Sequence, residues 1–245
     1  MFCIVAFSSS LTVAREQQNC DVDLIAELKS YFAINEKTWI WSTACKAWPG
    51  DKNKLLVAIA SDPVGDRDPT VDILPLHIAM LNPKTRKVMS EYHGKYQADT
   101  APGFDHFAIE LDTGHYELAK GVRAFGIRVI GFHKPTAAEG GSDSELSLYV
   151  SDGKTIRPIL ENFPTEYWAY ENGFPWSSSK FTIIKAKLTI RIARTTSKGF
   201  ADLFITAKSK SRKHHLTHLL DYDGKSYFLK GWDEKWDKWW NRPKN

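Results

Sequence analysis

A chain of 245 residues, 42% hydrophobic and 25% charged, is long enough to bury a core of ordinary size, which excludes an intrinsically disordered segment or a miniprotein held by disulfides alone. Its 33 basic and 29 acidic residues leave a net charge of +4 and are interleaved over most of the length, so a nucleic-acid binder with a strongly basic face is not expected. Aromatic residues make up 13%, which suits a β-rich binding protein.

Residues Met1–Ala14 are apolar or small, carry no charge, and end in Thr12-Val13-Ala14 before Arg15. This small-x-small pattern predicts the core and cleavage site of a secretory signal peptide, with residues 15–245 forming a single exported domain, periplasmic or secreted. No basic residue precedes the apolar stretch, so the alternatives are a start codon assigned too far downstream or a buried N-terminal strand. A membrane span needs about 20 apolar residues, more than this stretch has. Cys3 would leave with the signal and Cys20 and Cys45 would remain as an even pair. A bridge between them closes a loop of about 25 residues, worth about 3 kcal/mol in the chain-entropy model. The alternative is two unrelated buried thiols.

The first predicted element is a helix over Asp23–Phe32, which places Leu24, Ile25, Leu28, Tyr31 and Phe32 on one face. Asp21 or Asp23 is its candidate cap. From Thr38 the pattern changes to short β-branched or aromatic runs between Gly, Pro, Asn and Asp turns. Strands are predicted at Thr38–Thr43, Lys54–Ala60, Leu74–Leu81, Lys87–Tyr92, His106–Leu111, Tyr116–Lys120, Ala124–His133 and Glu145–Val150. Further strands are predicted at Thr155–Leu160, Tyr167–Tyr170, Phe181–Ala186, Leu188–Arg194, Ala201–Lys208, His215–Tyr222 and Ser226–Lys230. Tight turns at Asn82-Pro83, Asp152-Gly153 and Asp223-Gly224 recur about 70 residues apart and suggest three related meanders. The expected fold is mainly β: antiparallel meanders in a propeller-like or two-sheet (sandwich) body, with a short N-terminal helix and a Trp-rich C-terminal helix.

Two stretches break the pattern. Residues Lys134–Asp143 are rich in Pro, Gly and Ser and read as a loop. Residues Asn162–Trp176 concentrate Tyr167, Trp168, Tyr170 and Trp176 but contain too much Pro and Gly for a central strand.

Motifs for enzyme chemistry are sparse: the chain has no Gly-x-Ser-x-Gly elbow and no Gly-rich phosphate loop. Four carboxylates between Asp62 and Asp72 do not follow the EF-hand spacing, and Arg67 among them favours a solvated acidic loop over a calcium site. His214, His215 and His218 lack a third ligand of fixed position, and they read as part of a basic loop over Lys208–His215. That loop suits anionic lipid, a glycan or the acidic patch of a partner. No metal and no cofactor is expected. Glu161, Glu166 and Glu171, close to Trp168 and Tyr170, are candidates for a paired-carboxylate glycan or peptidoglycan hydrolase.

The C-terminal segment spaces Trp232, Trp236, Trp239 and Trp240 along one face of a predicted helix. Such a face plugs the β core, lies in a membrane interface, or forms a hot spot for a partner. Together these features point to an exported binding protein whose surface draws on Trp168, Tyr170 and Trp176 and on the C-terminal Trp face. An inhibitor or immunity-type protein acting on an envelope protein or glycan fits best. A glycan-active enzyme and a structural envelope protein are the alternatives.

Overall fold

The computed structural model describes residues 20–62, 73–97, 102–133, 140–171 and 182–240; the expected signal segment, the Asp62–Asp72 loop beyond Asp62, and Trp176 lie outside them. The N-terminal helix α1 (Val22–Tyr31) begins at Asp21, whose carboxylate accepts the backbone N–H groups of Asp23 (2.8 Å) and Leu24 (3.3 Å). These are two of the donors that a helix start leaves unpaired. Leu24, Leu28 and Phe32 bury against Val57, Ile59, Ala79 and Leu81 on the outer face of the first strands. Cys20 and Cys45 form the expected disulfide, with Cα atoms 5.2 Å apart, and so tie the helix entrance to β1 (Ile40–Ala47). Arg86, in the turn after β3 (Ile73–Leu81), reaches across to Glu27 and Asp21.

Among the described residues the mainly antiparallel body contains eleven strands in three meanders, with one short helix before them and one after. The first meander runs through β1, β2 (Leu55–Ser61), β3 and β4 (Val88–Gln97). The second runs through β5 (Pro102–Ala119), β6 (Val122–His133), β7 (Gly140–Asp152) and β8 (Thr155–Tyr170). The third is β9 (Ile183–Ser197), β10 (Phe200–Ser209) and β11 (Leu216–Leu220), followed by α2 (Trp232–Trp240). Strand β4 meets β8 in parallel at Glu91↔Thr155, and β8 also pairs with β9 through Glu166–Tyr170. All strands therefore join one hydrogen-bonded network, whereas a propeller would divide them into separate blades. The sheet does not close: β1 and β5 form no ladder, and side chains link them, with Ser42 Oγ accepting Ile109 N–H at 3.1 Å and Lys46 Nζ donating to the Leu111 carbonyl at 3.0 Å.

The second meander is a wall between two cores. Phe125, Ile127, Val129, Tyr149 and Ile156 face Leu56, Ala58, Ile78 and Met80 of the first meander. Ala124, Leu146, Leu148, Val150 and Phe163 face Leu188, Leu203, Ile205 and α2. Period-two alternation on β6 and β7 supplies both faces at once. The repeated turns have local causes. Asn82 Oδ1 accepts the N–H groups of Lys84 and Thr85, Asp223 Oδ1 those of Lys225 and Ser226, and Gly153 takes a φ of 62°.

Several expectations need correction. The pairs of strands expected at His106–Leu111 and Tyr116–Lys120, at Thr155–Leu160 and Tyr167–Tyr170, and at Phe181–Ala186 and Leu188–Arg194, are each one long strand, β5, β8 and, from Ile183, β9. Asn162–Tyr170, expected not to form a central strand, lies in β8 between β7 and β9, and Gly140–Asp143 of the expected loop belongs to β7. In β5 the Asp112–Tyr116 interruption is a register shift, not a turn. In β8, Pro158 and Pro164 each stand at a register shift against β7, where a bulge tolerates the missing N–H. The strand expected at Ser226–Lys230 is a single bridge, Tyr222↔Tyr227.

Phe32 also packs on His77 and His93, ring centroids 5.0 and 4.9 Å away, and the two Nδ1 atoms lie 3.3 Å apart. Burial, then the neighbouring His93, pushes His77 down to about 4, while His93 Nε2 faces Glu91 at 3.7 Å. The unfolded chain takes up the His77 proton near pH 6.5 and the folded one only near 4, so stability falls as pH drops through that window. Urea midpoints between pH 6.5 and pH 4 should show this loss in the native chain and a flatter slope in His77→Gln.

Candidate functional site

On β9 the sequence Lys185-Ala186-Lys187-Leu188-Thr189 alternates, with Ala186 and Leu188 in the core and Lys185, Lys187 and Thr189 exposed. Beside this row lie Glu166 and Tyr167 of β8 and the end of β10 with its following turn, where Lys208 and Lys210 are exposed. Ser209 Oγ donates to the Lys185 carbonyl at 2.6 Å and holds the turn against β9. The result is an open groove of about 880 Å³. An adjoining cleft of about 520 Å³ shares Asp143, Glu166, Lys185, Lys187 and Thr189 with it and ends at Arg128.

The inner end is the more rigid. Arg128 Nη1 donates to Thr165 Oγ1 at 2.8 Å and Nη2 to Asp112 Oδ2 at 3.2 Å. The Tyr116 hydroxyl donates to the same Asp112 oxygen at 2.9 Å, and Thr165 Oγ1 donates to the Ser144 carbonyl at 3.0 Å. Burial, then the Asp112 charge, raises the Tyr116 phenol so that it stays a donor. Two of the five guanidinium N–H groups are thus used internally while Arg128 still lines the cleft. Lys185, Lys187, Lys208, Lys210 and Arg128 set five positive charges against three negative ones on Asp143, Glu166 and Asp112. The Lys185–Asp143 contact is long, at 4.0 Å, and neutralises little.

Helix α2 supports this groove from behind. Tyr167 packs edge-on against Trp236 and Trp240, with centroids 5.2 and 5.3 Å away. Arg212 donates to the Trp239 carbonyl at 3.1 Å and to that of Trp240, and its guanidinium lies 5.6 Å from the Trp240 ring centroid. Trp239 Nε1 donates to the His214 carbonyl at 2.7 Å. The basic run thus divides its labour: Arg212 closes the last turn of α2, where carbonyls lack helical partners, and Lys208 and Lys210 flank the groove.

The predicted aromatic surface is placed differently. Trp168, Tyr170, Trp232, Trp239 and Trp240 are buried, and Trp236 is half-buried against the same core. The α2 rings are packing, because they meet Phe163, Tyr167 and His218, while Trp168 and Tyr170 meet each other edge-on at 5.7 Å. Trp176 lies outside the described residues. His218 is engaged by the Lys230 carbonyl (3.0 Å) and Lys235 Nζ (2.9 Å). No group of three metal-ligating side chains occurs among the described residues, and no described helix is long and apolar enough to cross a membrane. Glu161 and Glu166 line different cavities and so do not face each other across one groove as a glycosidase pair does. Glu171 lies at the far end of β8, half-buried.

Sequence reasoning did not single out Lys185, Lys187, Arg128 or Asp112. The alternation around Lys185 and the lone charge in the apolar run of β6 were the available signals. No protein-family model, characterised protein or solved structure matches the chain.

Arg212→Ala should expose the α2 terminus and cost about 1–2 kcal/mol. A lowered urea midpoint with red-shifted tryptophan emission is the expected readout, while Lys213→Ala, an exposed neighbour, should leave both unchanged.

Proposed function

We propose that this is an exported, disulfide-bonded binding protein that acts on an envelope partner in the manner of an inhibitor or immunity protein, taking an acidic segment of that partner into the groove over β8 and β9. The observation that carries the reading is the groove itself. Exposed Lys185, Lys187, Lys208 and Lys210 surround an apolar floor of Tyr167, Ile183 and Ile184 and lead to the anchored Arg128. Its volume of about 880 Å³ exceeds the needs of a small ion, and its positive charges outnumber its own acidic residues. Such a field raises the on-rate for acidic partners and weakens with salt.

Export draws support from the Cys20–Cys45 bridge, since disulfides persist outside the cytosol. Protein recovered from the envelope should begin at Arg15 and weigh two hydrogens less before reduction than after it. A full-length cytosolic chain with free thiols would overturn export.

Binding is tested with a fluorescent oligoglutamate peptide at low and raised salt. Native protein should bind it saturably, with affinity falling as salt rises, and the double variant Lys185→Glu, Lys187→Glu should bind at least about tenfold more weakly. Equal binding by both proteins would remove the groove from the reading.

A further inference from the structure

On the opposite face of β7 from the groove lies a smaller cleft of about 200 Å³, between β4 and the middle of β8. We infer that this cleft is a binding subsite for a single neutral sugar ring, built by the bulge at Glu161-Asn162 beside Tyr96 and Tyr149.

The bulge is the device that makes the site. Leu148 pairs with Leu160 and Leu146 with Phe163, so Glu161 and Asn162 together stand opposite Ser147 alone. Asn162 adopts a φ of 50°, a left-handed conformation that asparagine tolerates better than most residues, and its N–H donates to Ser147 Oγ at 3.0 Å. In a regular strand, consecutive side chains point to opposite faces. Here both Glu161 and Asn162 line one cleft. A strained position inside a central strand that gathers two polar side chains into a cavity is a feature typical of functional sites.

The aromatic side is also prepared. Tyr149 stacks on Phe125 with centroids 5.8 Å apart and meets Tyr92 edge-on at 5.2 Å, and the Tyr96 hydroxyl donates to Glu145 Oε2 at 3.0 Å. Gly94 leaves room for Tyr92 to lie across β4, since a Cβ at that position would fall 2.0 Å from the Tyr92 hydroxyl. Burial, then the charge of Glu161, raises the Tyr92 phenol, and burial, then Tyr92 and Glu161, raises Tyr149, so both phenols stay protonated donors.

The lining selects the ligand class. Lys95 opposes a cation and Glu161 opposes an anion; Ser147 Oγ holds Asn162 by donating to its Oδ1 at 3.5 Å, while Lys95, the Asn162 amide and Glu161 together supply both donors and acceptors. A neutral molecule rich in hydroxyls uses both kinds, and its C–H face lies on a tyrosine ring. The volume is below the roughly 300–1,000 Å³ of sites for drug-sized ligands, so one ring fits and a chain of rings does not.

The test is titration of the full chain with glucose, galactose, mannose and N-acetylglucosamine, each as the free sugar and as its methyl glycoside. Tyrosine resonances and saturation-transfer NMR report occupancy. At least one sugar should bind saturably in the millimolar range. A free sugar binding alone marks a soluble ligand, and a glycoside binding as well marks the end of a glycan. Glu161→Gln should weaken that sugar by roughly tenfold or more, as loss of a charged acceptor does. Asn162→Gly keeps the left-handed backbone, removes the amide, and should weaken it too. The Lys185→Glu, Lys187→Glu protein should bind the sugar normally, which separates this site from the groove. Absence of saturable binding by all four sugars overturns the inference, as does native affinity in both bulge variants. Tetramethylammonium or acetate occupying the cleft in place of every sugar overturns it as well.

Discussion

Strand β8 has to serve three neighbours, and the rest of the molecule follows from how it does so. It pairs with β7 along its length, touches β4 at Thr155, and hands its last five residues to β9. Without that shared strand the three meanders would be separate hairpin stacks with exposed edges. The demand also explains its irregular composition. Both prolines stand at register shifts against β7, and the extra residue at Glu161-Asn162 is absorbed opposite Ser147. The two cavities are consequences of the same strand: one flanks Glu166 where β9 joins, the other opens at the bulge.

Helix α2 adds a second dependence. Its tryptophans pack on Phe163 and Tyr167 of β8, and its terminal carbonyls are held by Arg212, one residue beyond the Ser211 that lines the groove. Floor and rim of the groove therefore both lean on one short helix of nine residues. Helices of this length are marginal alone, so packing of the tryptophans supplies the order that keeps the rim in place.

What the sequence disclosed was local. The cap at Asp21, the Asx turns at Asn82 and Asp223, and the apolar, β-branched runs of β2, β3, β6 and β10 depend on neighbours within a few residues and were legible. The joining of predicted fragments into β5 and β8 was not, because Gly and Pro read as breaks until the partner edge is known. The Trp232–Trp240 face was legible as a face but not as to its cover. Its period is the same whether lipid, a partner or the chain's own sheet lies against it, and only the strands of the second and third meanders decide. The basic run was equally ambiguous. Arg212 and Lys210 look alike in sequence, and one closes a helix while the other stays in solvent.

The two cavities differ in the physics they offer a ligand. Around the groove, exposed lysines contribute little to stability, because screened surface charges bring little net energy. Their field nevertheless reaches out over about a Debye length and acts before contact. In the cleft, Lys95 and Glu161 oppose each other, so there is no comparable long-range pull, and recognition must come from directed hydrogen bonds and ring contact. A groove of the first kind favours capture and a cleft of the second kind favours discrimination. Both hang from β8 but on opposite faces of the second meander, so charge reversal in one leaves the hydrogen-bond geometry of the other intact. That separation makes the two proposed roles independent in physical terms: the field of the groove belongs to β9 and the turn after β10, and the shape of the cleft belongs to one extra residue in β8.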